Sequence, residues 1–78
     1  MLNGGTHMNL ERIRNLREDN DFTQSMIANK LNISQRAYSH YETGTRDIPL
    51  TVLIQLADIY DCSIDYLMER TNIKDINK

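Results

Sequence analysis

From Asn9 onward apolar side chains recur every three or four positions in short runs, and no stretch alternates long enough to make a useful strand. The spacing predicts an all-α chain. A first helix carries Leu10, Ile13 and Leu16, with Asn9 as its cap and Glu11 in the first turn, where the helix dipole favours an anion. It should end near Asp19, because Asn20 and Asp21 both tolerate the left-handed backbone of a helix exit. Thr23 caps a second helix, Gln24 to Leu31, with Met26, Ile27 and Leu31 as its apolar stripe and Ala28 on an adjoining face. Asn32 stops it. Ser34 caps again almost at once, so only a tight turn at Asn32-Ile33 precedes a third helix from Gln35 to about Glu42.

Gly44 can take the positive φ that closes the third helix, and Pro49 presets the start of a fourth. Leu50, Leu53, Ile54, Leu56, Ala57 and Tyr60 cover more than half of that helix, as expected of a central packing element. Ser63 caps a fifth, Ile64 to about Glu69, with Asp65 in its first turn. The second and third helices, two short rods joined by a tight turn, form a helix-turn-helix unit. Residues 71–78, with Ile73 and Ile76 as their only apolar side chains, read as a frayed tail or a short helical extension. Gly4-Gly5-Thr6-His7-Met8 reads as an expression-tag remnant, so residues 1–7 are set aside and 8–70 form the expected domain.

A length of 78 residues fits one small domain and argues against an enzyme with a deep cleft between lobes. The single cysteine, Cys62, makes neither an internal disulfide nor a cysteine-based zinc site, and a reducing, cytoplasmic setting fits. Its place between the fourth and fifth helices suggests a buried packing residue, with redox sensing through an intermolecular disulfide as the alternative. No transmembrane run or signal peptide is present. The net charge of −2 gives no argument for nucleic acid, but its distribution does. Between Gln24 and Arg46 stand Lys30, Arg36 and Arg46 against Glu42 alone. From Asp47 to Glu69 there are five acidic residues and no Lys or Arg, so that end should face away from a polyanion.

At 100° per residue, Gln35, Arg36, Ser39 and His40 share one face of the third helix, while Ala37, Tyr38 and Tyr41 turn the other way. Gln matches adenine and Arg matches guanine in the major groove, and Ser and His are adaptable partners. Four polar residues are also what any exposed helix displays. His40 lies near Glu42, but no third group stands at ligand or catalytic spacing, and neither a glycine-rich phosphate loop nor a nucleophile motif occurs; no enzyme activity, metal or cofactor is expected. Tyr38, Tyr41, Tyr60 and Tyr66 could stack on single-stranded nucleic acid, but their helical positions favour packing with hydroxyls toward the surface.

Leu16-Arg17, Thr23-Gln24, Ala28, Leu31, Ile33-Ser34-Gln35, Tyr41-Glu42-Thr43-Gly44, Pro49 and Ser63-Ile64-Asp65-Tyr66-Leu67, in this order and spacing, resemble the lambda-repressor-like (Cro/C1, xenobiotic-response-element type) helix-turn-helix family. The resemblance runs from about Leu10 to Arg70 and implies five helices, the second and third being the DNA-reading pair. It implies base reading by Gln35, Arg36, Ser39 and His40, and backbone contacts by Gln24, Ser34, Thr43, Thr45 and Arg46. It pairs Arg17 with Glu42 structurally. Departures are Asp21 and Asn32, where the family often has Gly, and Ser25 and Met26, which leave Thr23 without a capping box. His40 is a less usual base reader.

The Arg17–Glu42 pair also has a physical argument, since Glu42 is the one anion in a segment meant to approach phosphates. If buried, truncating one partner should cost on the order of 3–5 kcal/mol; a solvated pair would be worth under about 1 kcal/mol. The functional expectation is a sequence-specific transcriptional regulator that binds a palindromic operator as a homodimer, with half-sites about 34 Å apart. The fifth helix, the Cys62 loop and Ile73 and Ile76 are the expected dimer surface. The rival expectation is an antitoxin-like or adaptor module that keeps the fold and docks a protein partner.

Overall fold

The computed structural model describes residues 10–68. They form α1 (Glu11–Asp19), α2 (Gln24–Leu31), α3 (Gln35–Glu42), α4 (Leu50–Tyr60) and α5 (Ile64–Leu67), and no strand occurs among them. Asn9, the expected cap of α1, and Glu69, the expected end of α5, lie outside the described residues, as do residues 1–7 and 71–78. Leu10 takes the cap position of α1 without a side-chain hydrogen bond, and its side chain is buried.

The polar caps act where the sequence places them. The Thr23, Ser34 and Ser63 hydroxyls each accept 3.0 Å hydrogen bonds, from the backbone N–H groups of Met26, Ala37 and Tyr66 respectively. Three helix exits repeat one motif. Asp21, Asn32 and Asp61 adopt left-handed backbone at φ 58°, 60° and 53°, and the next residue donates its N–H five positions back: Phe22 to Arg17, Ile33 to Ala28 and Cys62 to Ala57. Of the Asn20-Asp21 pair only Asp21 is left-handed; Asn20, at φ −95°, donates its side-chain amide to the Leu16 carbonyl at 2.8 Å. Gly44 closes α3 at φ 79°.

One core joins all five helices: Leu10, Ile13 and Leu16 from the first segment, Ile27, Ala28 and Leu31 from α2, Tyr38 from α3, Val52, Leu53, Leu56, Ala57 and Tyr60 from α4, and Leu67 from α5. Ile48 and Cys62 complete it from the flanking loops. The expected stripes need correcting at three positions. Met26 on α2, and Leu50 and Ile54 on α4, are exposed at 45%, 63% and 45%. Ala28 takes the inward place assigned to Met26, while Val52 on α4 and Ile48 in the loop before it, absent from the expected stripes, are buried. Two tyrosine hydroxyls also run against expectation: Tyr38 is wholly buried and Tyr60 nearly so, and neither reaches the surface. Cys62 is a buried packing residue, and in the folded chain it has no surface from which to form an intermolecular disulfide. The Arg12 guanidinium lies 4.2 Å from the Tyr66 ring centroid and donates to the Tyr66 carbonyl at 3.1 Å, pinning the single turn of α5 to α1.

Candidate nucleic-acid interface

α2 and α3 pack directly on one another, joined by the left-handed turn at Asn32. Tyr38 inserts from α3 into the core, so the opposite side of α3 must face solvent. On that side Gln35 and Arg36 are exposed and Ser39 and His40 half-buried. Among the described residues, none of these four side chains engages a hydrogen bond or ion pair within the chain, so their donors and acceptors are available to a partner.

What holds the helix from behind is centred on Glu42, whose side chain is only 4% exposed. Arg17, 12% exposed, reaches it in a two-bond fork, Nε to Oε2 at 2.9 Å and Nη2 to Oε1 at 3.0 Å. Its Nη1 donates to the Phe22 carbonyl at 2.8 Å, so one guanidinium ties α1, the α1–α2 turn and α3 together. Gln24 Nε2 donates to Glu42 Oε1 at 3.1 Å from α2, and the Tyr38 hydroxyl donates to Oε2 from one turn earlier on α3. Burial on its own would raise the Glu42 pKa; the bonds from Arg17, Tyr38 and Gln24 outweigh it and hold the carboxyl below its ordinary value. The same bond to Glu42 raises Arg17 further above its usual range, and burial, followed by the carboxylate, pushes the Tyr38 hydroxyl far up. The ensemble is permanently charged at neutral pH, with every carboxylate oxygen satisfied.

Sequence reasoning named Arg17 and Glu42 but missed the Tyr38 hydroxyl and the Phe22 carbonyl. The i, i+4 spacing of Tyr38 and Glu42 was a usable signal for the first; a backbone acceptor in a turn leaves no mark in sequence.

The loop after α3 shows a division of labour. Thr43 Oγ1 donates to the Ser39 carbonyl at 2.9 Å and lies 3.0 Å from Thr45 Oγ1. In the arrangement that satisfies both hydroxyls, Thr45 donates to Thr43 and both protons are engaged within the chain. Arg46 is exposed, its N–H bound to the His40 carbonyl at 3.2 Å, and its guanidinium is the loop's available cation. Ser34 keeps a hydroxyl proton for an outside acceptor while its oxygen caps α3. Gln24 is half-buried and keeps part of its amide unengaged. Among the described residues no group of three or more His, Cys, Asp or Glu side chains could hold a metal, and no helix is long and apolar enough to cross a membrane.

A short pair of packed helices, the second polar on its outer face and locked from behind, defines a helix-turn-helix domain. The helix-turn-helix family model matches residues 13–67, and the chain belongs to the lambda-repressor-like, Cro/C1-type family of such domains. It is 35% identical over 68 residues to the uncharacterized HTH-type transcriptional regulator YobD of Bacillus subtilis, covering 87% of this chain and 61% of that protein. It is 36% identical over 67 residues to the HTH-type transcriptional regulator AnsR of the same organism, covering 86% and 58%. The HTH-type transcriptional regulator ImmR, also of Bacillus subtilis, is 32% identical over 68 residues, covering 87% and 54%. The chain thus spans little more than half the length of these relatives. No solved structure was found to match it.

Proposed function

We propose that the protein is a sequence-specific DNA-binding transcriptional regulator that reads the major groove with α3 and acts as a homodimer on a palindromic operator. The observation that carries this is the outer row of α3, four polar side chains with unengaged donors and acceptors on a helix whose orientation is fixed by Glu42. Gln35 and Arg36, in the first turn, read base edges, the arginine suited to guanine and the glutamine to adenine. Ser39 and His40 line the groove one turn further on. Gln24, Ser34 and Arg46 hold phosphates on either side, and Thr43 and Thr45 contact the backbone only by exchanging their mutual hydrogen bond for a phosphate. The names of the relatives, all HTH-type transcriptional regulators, support the same reading. One recognition helix makes too few base contacts for genomic selectivity, which is why two copies on half-sites about 34 Å apart are required.

Selection of binding sites from random duplexes, followed by salt titration, tests the reading. Log affinity should fall linearly with log salt. Arg46→Ala should reduce the slope by about one unit, and Arg36→Ala should relax base preference at one position by about 1–3 kcal/mol. Absence of duplex binding at low salt, with a salt-insensitive protein partner held by α4 and α5, would establish the docking-module alternative instead.

A further inference from the structure

The first turn of α3 carries an apolar group that the fold does not use. Of the three apolar side chains on α3, Tyr38 is wholly buried and Tyr41 packs half-buried against the core. Ala37 is half-buried too, yet it belongs neither to the core nor to the side chains packed against it. Expected to turn inward with the tyrosines, it stands on a flank instead. At about 100° per residue, measured from Tyr38, Arg36 and His40 lie about 160° round, one on each side, and Ser39 and Ala37 about 100° round. The outer ridge of α3 is therefore Arg36 and His40, with a hydroxyl on one flank and a methyl group on the other.

Two further features decide what that methyl group can meet. Its direction is set, because the Ala37 N–H donates to Ser34 Oγ at 3.0 Å and a Cα–Cβ bond tilts toward the helix N-terminus, the end that contacts base edges in a helix-turn-helix. Ala37 and Ser39 are also both small, so both flanks of the helix are narrow where it would enter a groove. On the base edges of the major groove the matching group is the C5 methyl of thymine, among donors and acceptors. Against a donor or acceptor, Ala37 would remove water without replacing its hydrogen bond; against a methyl, it removes apolar surface from water.

We infer that Ala37 is a specificity-determining residue that meets the C5 methyl group of a pyrimidine, thymine in unmodified DNA, within one base step of the pair that Arg36 reads. Neighbouring Cα atoms are about 3.8 Å apart and stacked base pairs about 3.4 Å, which sets that register. The inference rests on the reading of α3 as the helix that enters the major groove, and it deepens that reading. The polar row selects bases by hydrogen bonds, and Ala37 adds a selection by shape and hydrophobicity that no polar side chain on the ridge supplies.

The test uses the full chain and duplexes selected from random sequence, resynthesised with each thymine in turn replaced by deoxyuridine, which deletes the methyl group and keeps every hydrogen-bonding group. One position in each half-site should lose about fourfold in affinity, the worth of one buried methyl group. That loss should be the same at low and high salt, since an apolar contact releases no counterions, while the affinity itself falls with salt. In Ala37→Gly and in Ala37→Ser the preference for thymine over deoxyuridine at that position should vanish. The preference is a ratio measured on one protein, so it does not depend on how much of a variant is folded. With cytosine at that position, 5-methylcytosine should bind more tightly than cytosine to wild type and equally to Ala37→Gly. The inference fails if the chain binds its selected duplex with no methyl-sensitive position, or if the sensitivity survives in Ala37→Gly, since another side chain then meets the methyl group. A chain that binds no duplex at low salt overturns the DNA-binding reading and this inference together.

Discussion

Replacing Arg17 by Met preserves most of its aliphatic volume and removes the guanidinium that enters the Glu42 ensemble. Three bonds are lost, two to the carboxylate and one to the Phe22 carbonyl. The carboxylate stays 4% exposed on the wild-type geometry and keeps only the neutral donors Tyr38 and Gln24. An uncompensated buried charge of this kind costs about 3–5 kcal/mol. A domain of this size is stable by roughly 3–9 kcal/mol in all, so the variant should be close to unfolding. Arg17→Lys keeps the charge but loses the fork and provides a milder test, at about 1.5–3 kcal/mol for each charged bond not remade. Urea unfolding followed by circular dichroism measures both. The pH dependence gives the sign of the effect. In wild type the Glu42 pKa is depressed, so its contribution is fully present above the ordinary carboxylate pKa and disappears as pH falls through the lower folded value. Without Arg17 its hydrogen bond and its charge no longer lower the Glu42 pKa, so the folded value moves up from its wild-type position and the deficit relative to wild type shrinks as the solution is acidified. Arg17→Met/Glu42→Gln should be less damaging than Arg17→Met alone. A loss under about 1 kcal/mol for Arg17→Met, with no pH dependence, would show that the pair behaves as a solvated surface pair and refute the reasoning.

Among the described residues the buried Tyr60 hydroxyl has no hydrogen-bond partner, and burial pushes its pKa up to about 12; Tyr60→Phe should be neutral or stabilise by up to about 1–3 kcal/mol in urea unfolding, and a clear loss would reveal a partner for the hydroxyl. Asn32→Gly should stabilise by up to about 1 kcal/mol because the position is left-handed, whereas Gly44→Ala should cost about 1–2 kcal/mol from backbone strain alone, nothing lying within 4 Å of the added carbon. Thermal unfolding of the two variants checks the pair, and equal shifts of the same sign would contradict the backbone assignment. Tyr38→Phe should lose about 1.5–3 kcal/mol, the value of a hydrogen bond to a charged group, and retention of wild-type stability would remove Tyr38 from the Glu42 ensemble.

Helix starts were legible because a hydroxyl side chain can satisfy an orphan N–H only at one place, and Thr23, Ser34 and Ser63 do so. Helix exits were legible at Asn32 and Gly44, where left-handed backbone selects few residue types. Asp61 escaped notice because an Asp between apolar runs looks like any surface residue. The inward face of α4 was less legible. Apolar residues surround most of that helix, so periodicity alone does not say that Val52 points in and Leu50 out, and Ile48 enters the core from a loop that has no period. In the candidate interface the outward row of α3 follows from helical geometry once Tyr38 is inside. The depth of Glu42 does not, since it depends on how α1, α2 and α3 come together around it.

The outward row of α3 and the side chains that lock the helix from behind are separate sets. Arg17, Gln24, Tyr38 and Glu42 form the anchor, while Gln35, Arg36, Ser39 and His40 contribute nothing to it. On the proposed reading of α3, such a partition makes target choice mutable at little risk to folding: duplicated copies of this chain can drift toward new operators by exchanging residues on one side of a single helix, over an unchanged chassis.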